Sequence, residues 1–97
     1  MVKHRYSAFV GTSLHLILST LGIRSLLFTG VTTDVCVDSS LRDGLANGYF
    51  VSLVEDCAAA YWPDAHENAA RVVARNFGTV VTSKELTAVW AGIPVPA

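Results

Sequence analysis

Charge is what this sequence has least of. Only 15% of its 97 residues are Asp, Glu, Lys or Arg, against about 25% in an ordinary soluble domain. Seven basic residues stand against eight acidic ones, giving a net charge of −1 and a pI near 6.2. No basic stripe offers a phosphate footprint, so nucleic acid is not expected as a partner. Cysteine is scarce too. Cys36 and Cys57 form neither a CxxC pair nor a disulfide framework, and a reducing, cytoplasmic setting is expected. The longest strongly apolar runs, near Leu14–Leu18 and Ser25–Phe28, fall far short of the roughly 20 residues that span a bilayer. The opening MVKHRYSAFVG has no apolar h-region, so no signal peptide is expected in it. Repeats, low-complexity tracts and linkers are missing, and the length allows one domain at most.

Apolar residues, by contrast, make up 52% of the chain, and mean hydropathy is +0.43. Disorder is thereby excluded, since it needs low hydrophobicity and high net charge. So short a chain has too much surface to hide that many apolar groups. Either other copies of the chain cover them, in a homo-oligomer, or the 97 residues are part of a larger domain.

The pattern alternates. Thr12 is placed to N-cap a helix whose Leu14, Ile17, Leu18 and Leu21 follow the i, i+3, i+4, i+7 rule, with Gly22 as its stop. Arg24–Thr29 reads as a strand buried on both faces. After a Gly30 turn, Thr33 or Asp34 caps a second helix, which runs to about Asn47 and ends at Gly48. Tyr49–Val54 is a second buried strand, followed by a loop over Glu55–Pro63. Asp64 and Glu67 form a capping box for a third helix ending near Gly78. Thr79–Thr82 is a third strand, Ser83 caps a last helix through about Trp90, and Gly92–Pro96 resists regular structure. Such alternation predicts an α/β fold, a parallel sheet with helices on both faces in a Rossmann-like three-layer arrangement. Three strands make a narrow sheet, and the pattern reads as half of a doubly wound fold whose first strands are missing.

Chemistry concentrates at Phe28–Val37, FTGVTTDVCV. A strand ends, a Gly turn follows, and Cys36 sits in the first turn of the next helix. In open α/β sheets the ligand crevice lies at the carboxyl ends of the strands. A helix N-terminus carries positive partial charge and free N–H groups, which favour a thiolate and an oxyanion. The position suits a nucleophile; it also suits a small buried cysteine packed under the strand.

Gly30–Gly44, GVTTDVCVDSSLRDG, resembles the nucleophile motif of the isochorismatase-like cysteine hydrolases. Lys3–Thr12, KHRYSAFVGT, resembles that family's lysine segment. Val54–Ala59, VEDCAA, resembles its V-x-D-A-x-A strand end, and His66 follows as the family pattern expects. The likeness runs to about Thr82. It implies a catalytic Cys36 and a catalytic Lys3, a cis peptide between Val31 and Thr32, and an oxyanion hole made by the N–H groups of Thr32 and Cys36. The resemblance also implies a catalytic Asp at the end of an earlier strand. Only Met1 and Val2 precede Lys3, and no Asp of this sequence matches that residue. Residues 1–97 therefore read as a partial domain, its C-terminal half, with little activity on its own.

The remaining candidates have plain alternatives. Tyr6 and Phe9 belong to the core or to a substrate pocket wall. Tyr61 and Trp62 line a pocket or an interface between protomers. Arg42 and Asp43 point to a structural ion pair, His66 caps or packs, and Cys57 fills space. His4 and His15 have no partner pattern for a metal, and no cofactor is expected. The expected activity is hydrolysis of C–N bonds in small amide or ureido substrates through a Cys36 thioester. The R-Y-S-A-F run leans to the ureidoacrylate and carbamoyl-amide branch. A different class of function is a catalytically inactive remnant, or an oligomer-forming binding protein of the same fold.

Overall fold

The computed structural model describes residues 1–93; the tail at Pro94, Val95 and Pro96 lies outside them. Helix α1 (Leu14–Thr20) stops where Gly22 takes a φ of +72°, a left-handed conformation that costs glycine little. Ile23 N–H then donates to the Leu18 carbonyl at 3.0 Å, and Gly22 N–H to Ser19 at 3.1 Å. These are the two bonds of a Schellman close. Helix α2 (Asp38–Ala46) ends the same way at Gly48, φ +94°, with Tyr49 N–H on Gly44 and Gly48 N–H on Leu45.

Helix starts depart from the expected caps. Ser13, not Thr12, is the N-cap of α1. Thr12 supports it from outside, its hydroxyl accepting Leu14 N–H at 3.3 Å. Helix α3 (Pro63–Asn76) is capped by Trp62 rather than through an Asp64–Glu67 box. Pro63 explains this: its fixed φ and missing N–H suit the first helical position, and it holds the preceding residue extended. At α4 (Ser83–Ala91) the N-cap is Thr82, one residue before the expected Ser83, and its box partner is Glu85.

Three parallel strands lie in the order β1 (Ser25–Val31), β2 (Phe50–Ala59), β3 (Thr79–Val81). The α/β parallel fold is as expected, with β1 and β2 longer than read from the sequence and β3 one residue shorter, because Thr82 caps α4. β2 continues five residues into the expected loop because Ala58 and Ala59 pair with Gly30 and Val31. Pairing of Ala58 and Ala59 with β1 overrides the weak strand preference of this stretch.

Alternation puts Leu26 and Phe28 of β1 beside Val51 and Leu53 of β2 on one face. There they meet Val37, Leu41 of α2, and Ala70 and Val73 of α3; Leu41 is 0% and Val73 2% exposed. Ser25, Leu27, Phe50 and Ser52 alternate to the opposite face, where Leu27 is 45% and Phe50 71% exposed. The expectation that β1 is buried on both faces is therefore corrected: within this chain one face is covered. Of the α1 stripe, Ile17 and Leu21 are exposed while Leu18 packs on the core. The chain exposes 6553 Å², where a compact monomer of its mass exposes about 5,400 Å².

Candidate active site

The site begins where β1 ends. The Val31–Thr32 peptide is cis. Thr32 is extended, and its carbonyl accepts N–H bonds from Val35 at 3.2 Å and Val37 at 3.0 Å. The second bond spans five residues, so Thr33–Val37 is a π-helical turn rather than the start of one continuous α-helix. Thr32, not Thr33 or Asp34, occupies the N-cap. Single π-turns recur at functional sites, and this one carries Cys36, half-buried, two residues before α2.

Residues 1–12 form no helix or strand, yet they are fastened to the scaffold. Ala8 N–H donates to Ser40 Oγ at 2.9 Å, and Phe9 N–H to Ser7 Oγ at 3.2 Å. Ser40 lies four residues beyond Cys36, about one helical turn along. The Phe9 ring sits 6.1 Å from that of Tyr49, whose hydroxyl bonds His15 Nδ1 at 2.8 Å. These ties bring Lys3, His4, Arg5, Tyr6 and Cys36 onto one open cavity of about 550 Å³. The Lys3 ammonium donates to the Arg5 carbonyl at 2.8 Å. A cavity of about 220 Å³ is lined by Val31, Thr32, Ala59, Ala60 and Tyr61, at the carboxyl ends of β1 and β2.

Other candidates lie elsewhere. Phe9, read as core or pocket wall, packs against the core, because Ala8 and Tyr49 hold its segment down. Trp62 stands against Tyr61, ring centroids 6.0 Å apart, and lines neither cavity; it is 66% exposed. Arg42 pairs with Asp38 at 2.8 Å, not with Asp43, and covers the Phe77 ring at 4.6 Å. Cys57 is exposed on β2.

Two contacts escaped the sequence reading. Ser40 is one, and His66 is the other. His66 Nδ1 and Thr33 Oγ1 are 2.7 Å apart, and Thr33 is 1% exposed. A hydroxyl so buried needs a partner, since leaving it unpaired costs about 1–3 kcal/mol. Asp56 ties β2 to α4: its carboxylate accepts the Ser83 hydroxyl at 2.5 Å and the Ser83 N–H at 2.8 Å. The hydroxyl first, then the amide, holds the Asp56 carboxyl below its ordinary range. Among the described residues no three His, Cys, Asp or Glu side chains gather to hold a metal, and no helix is long and apolar enough to cross a membrane.

The geometry has close counterparts. Over 84 residues the chain is 42% identical to the ureidoacrylate amidohydrolase RutB of Caulobacter vibrioides, covering 86% of this chain and 37% of that protein. It superposes on an isochorismatase-like hydrolase from Alkaliphilus metalliredigens with a TM-score of 0.87 at 36% identity, over 91% of this chain and 49% of that one. The nicotinamidase/pyrazinamidase PncA of Bacillus subtilis gives 0.81 at 33% identity, over 84% and 45%. The chain thus spans half the length of these relatives or less. The isochorismatase domain matches residues 1–85, which takes in the lysine segment, the cysteine turn and the Asp56 strand alike, and the chain belongs to that hydrolase family.

Proposed function

We propose that this chain carries the nucleophile of a cysteine-dependent hydrolase that cleaves C–N bonds in small amide or ureido substrates. The observation that carries the reading is the shared cavity: Lys3 and Cys36, 33 positions apart in sequence, line one opening at the crevice end of the sheet. In this reading the Cys36 thiolate attacks the carbonyl carbon. The N–H groups of Thr32 and Cys36 take the oxyanion, and the Lys3 ammonium balances the developing charge. The C–N bond breaks, the amine leaves with a proton, and an acyl thioester remains on Cys36. Water then adds to the acyl carbon, releasing the acid and returning the proton to sulfur. The family resemblance implies an Asp as base toward the thiol and as acid toward the leaving amine. The ureido preference draws on the likeness to a ureidoacrylate amidohydrolase. Two unpaired cysteines fit a cytoplasmic protein.

The test is mass spectrometry of the chain after exposure to a small activated ester, with ammonia release from small ureido compounds measured in parallel. One acyl group on Cys36, removed by hydroxylamine, with ammonia near background, is the expected result. Acylation at Cys57 alone, or none, would refute the nucleophile. A second reading, an oligomer-forming protein without activity, draws on the exposed Leu27, Phe50 and Leu21. It is favoured if the chain assembles stably and Cys36 stays inert.

A further inference from the structure

We propose that His66 is a positioning residue for Cys36: its hydrogen bond to Thr33 holds the π-turn in the shape that presents the thiol to the cavity. The role rests on the reading of Cys36 as nucleophile.

Thr33 opens the turn and Cys36 is its fourth residue. The backbone of the turn is wide. Thr32 O takes the Val37 N–H and Thr33 O takes the Asp38 N–H, each bond closing over five residues where an α-helix closes over four. Such turns are rare within otherwise α-helical segments, so something outside the turn must favour this one. The Thr33 side chain supplies the link. It is 1% exposed, and its hydroxyl lies 2.7 Å from His66 Nδ1, 33 residues further along the chain. Either partner donates, according to the imidazole tautomer. Tightening the turn to α geometry would rotate Thr33 against His66 and change the direction of Cys36 with it.

His66 is well mounted for this. It sits in the first turn of α3, its N–H donated to the Trp62 carbonyl at 3.2 Å. Ala70 and Val73 pack that helix into the core with Val51 and Leu53 of the sheet, so the imidazole is carried by a rigid element. The ring lines neither the Lys3–Cys36 cavity nor the Thr32–Tyr61 cavity. It faces a separate groove with Glu55, Glu67 and Arg71. That placement makes it a support for the nucleophile and not a group that touches substrate.

The experiment compares iodoacetamide alkylation rates at Cys36 and Cys57, resolved by peptide mass spectrometry, in the parent chain and in His66→Ala, His66→Asn, Thr33→Val and the double variant His66→Ala/Thr33→Val. Thr33→Val keeps the shape and removes the hydroxyl; Asn returns a polar atom near the place of Nδ1. We expect His66→Ala and Thr33→Val each to slow Cys36 by about tenfold, the scale of one buried hydrogen bond. The double variant should be no slower than either, His66→Asn should recover most of the parent rate, and Cys57 should not change. If His66→Ala loses the fold, Thr33→Val and His66→Asn decide: slow Val with near-parent Asn supports the role. Parent rates in Thr33→Val, or His66→Asn as slow as the alanine variant, overturn it. A parent whose Cys36 reacts no faster than Cys57 overturns the nucleophile reading and this role together. A fast parent Cys36 that Thr33→Val leaves untouched overturns the positioning role alone.

Discussion

The amide of Ala8 donates to the hydroxyl of Ser40 at 2.9 Å across 32 positions of chain. This single bond fastens the lysine segment to the helix that follows the cysteine turn. Ser40 is 8% exposed and Ala8 is half-buried, so water cannot readily replace the lost acceptor. Ser40→Ala should cost about 1 kcal/mol in stability. Hydrogen exchange at residues 4–10 should speed up while exchange in β2 stays at the parent rate. Unchanged exchange in that segment would show that the Phe9–Tyr49 contact suffices.

The two thiols should differ. Cys36 is half-buried and lines the same cavity as Lys3, and Cys57 is exposed on β2. Exposure alone would make Cys57 the faster, so a faster Cys36 reports activation by its surroundings. Removing the ammonium with Lys3→Met should slow Cys36 and leave Cys57 alone. Equal rates for both thiols in the parent chain would count against activation.

Acid should loosen α4 before the core. The Asp56 carboxyl is depressed from 3.8 by the Ser83 hydroxyl and amide. A depressed carboxyl contributes stability above its unfolded pKa and loses it as pH falls through the folded value. The tie is therefore complete at neutral pH and fails only below about pH 4. Exchange of the Glu85–Val89 amides, followed downward in pH, should rise there in the parent. Asp56→Asn should show fast exchange at neutral pH already, with a flatter profile.

Leu41 is 0% exposed at the meeting point of α2 and β2. Leu41→Ala should lose about 2–5 kcal/mol, the range for a buried leucine whose site cannot collapse. Urea unfolding followed by circular dichroism measures this directly. A loss under about 1 kcal/mol would mean that the core is looser than its burial indicates.

The uncovered sheet face should drive association. Leu27 and Phe50 stand open beside the unpaired edge of β1, and exposed apolar edges pair with other chains. Sedimentation velocity should show the parent chain assembling with concentration, and Leu27→Lys shifting it toward monomer. A parent that stays monomeric throughout would show that the apolar surface is tolerated in water.

Much of the fold was legible because its signals are local. Gly22 and Gly48 marked helix ends since the Schellman close needs a left-handed residue just there. The parallel sheet followed from strand–helix alternation. The caps were misplaced because able residues stand side by side, as with Thr12 and Ser13 or Thr82 and Ser83, and backbone angles choose between neighbours. The far half of β2 was unreadable, since Ala58 and Ala59 extend by pairing with Gly30 and Val31, and Asp56 is held by Ser83, contacts that no local pattern shows. At the site, Cys36 showed through its place after a strand and a Gly turn. The Ser40–Ala8 and His66–Thr33 bonds did not, because they join residues 32 and 33 positions apart, and no spacing rule reaches so far.

β1 and β2 run in step from Ser25↔Phe50 to Phe28↔Leu53, then resume at Gly30↔Ala58. Opposite Thr29 alone, β2 spends four residues, Val54 to Cys57, facing away toward β3 and α4. Elsewhere in a sheet a one-residue slip turns every side chain over. Here the slack absorbs it. A residue gained or lost at Glu55 or Cys57 would leave Val51 and Leu53 on the core side and alter the Asp56–Ser83 tie and the width of the opening beside Thr32 and Tyr61. The fold thus holds an expansion joint between its packed interior and its crevice, where the chain can take up a change of length without repacking Val51 and Leu53.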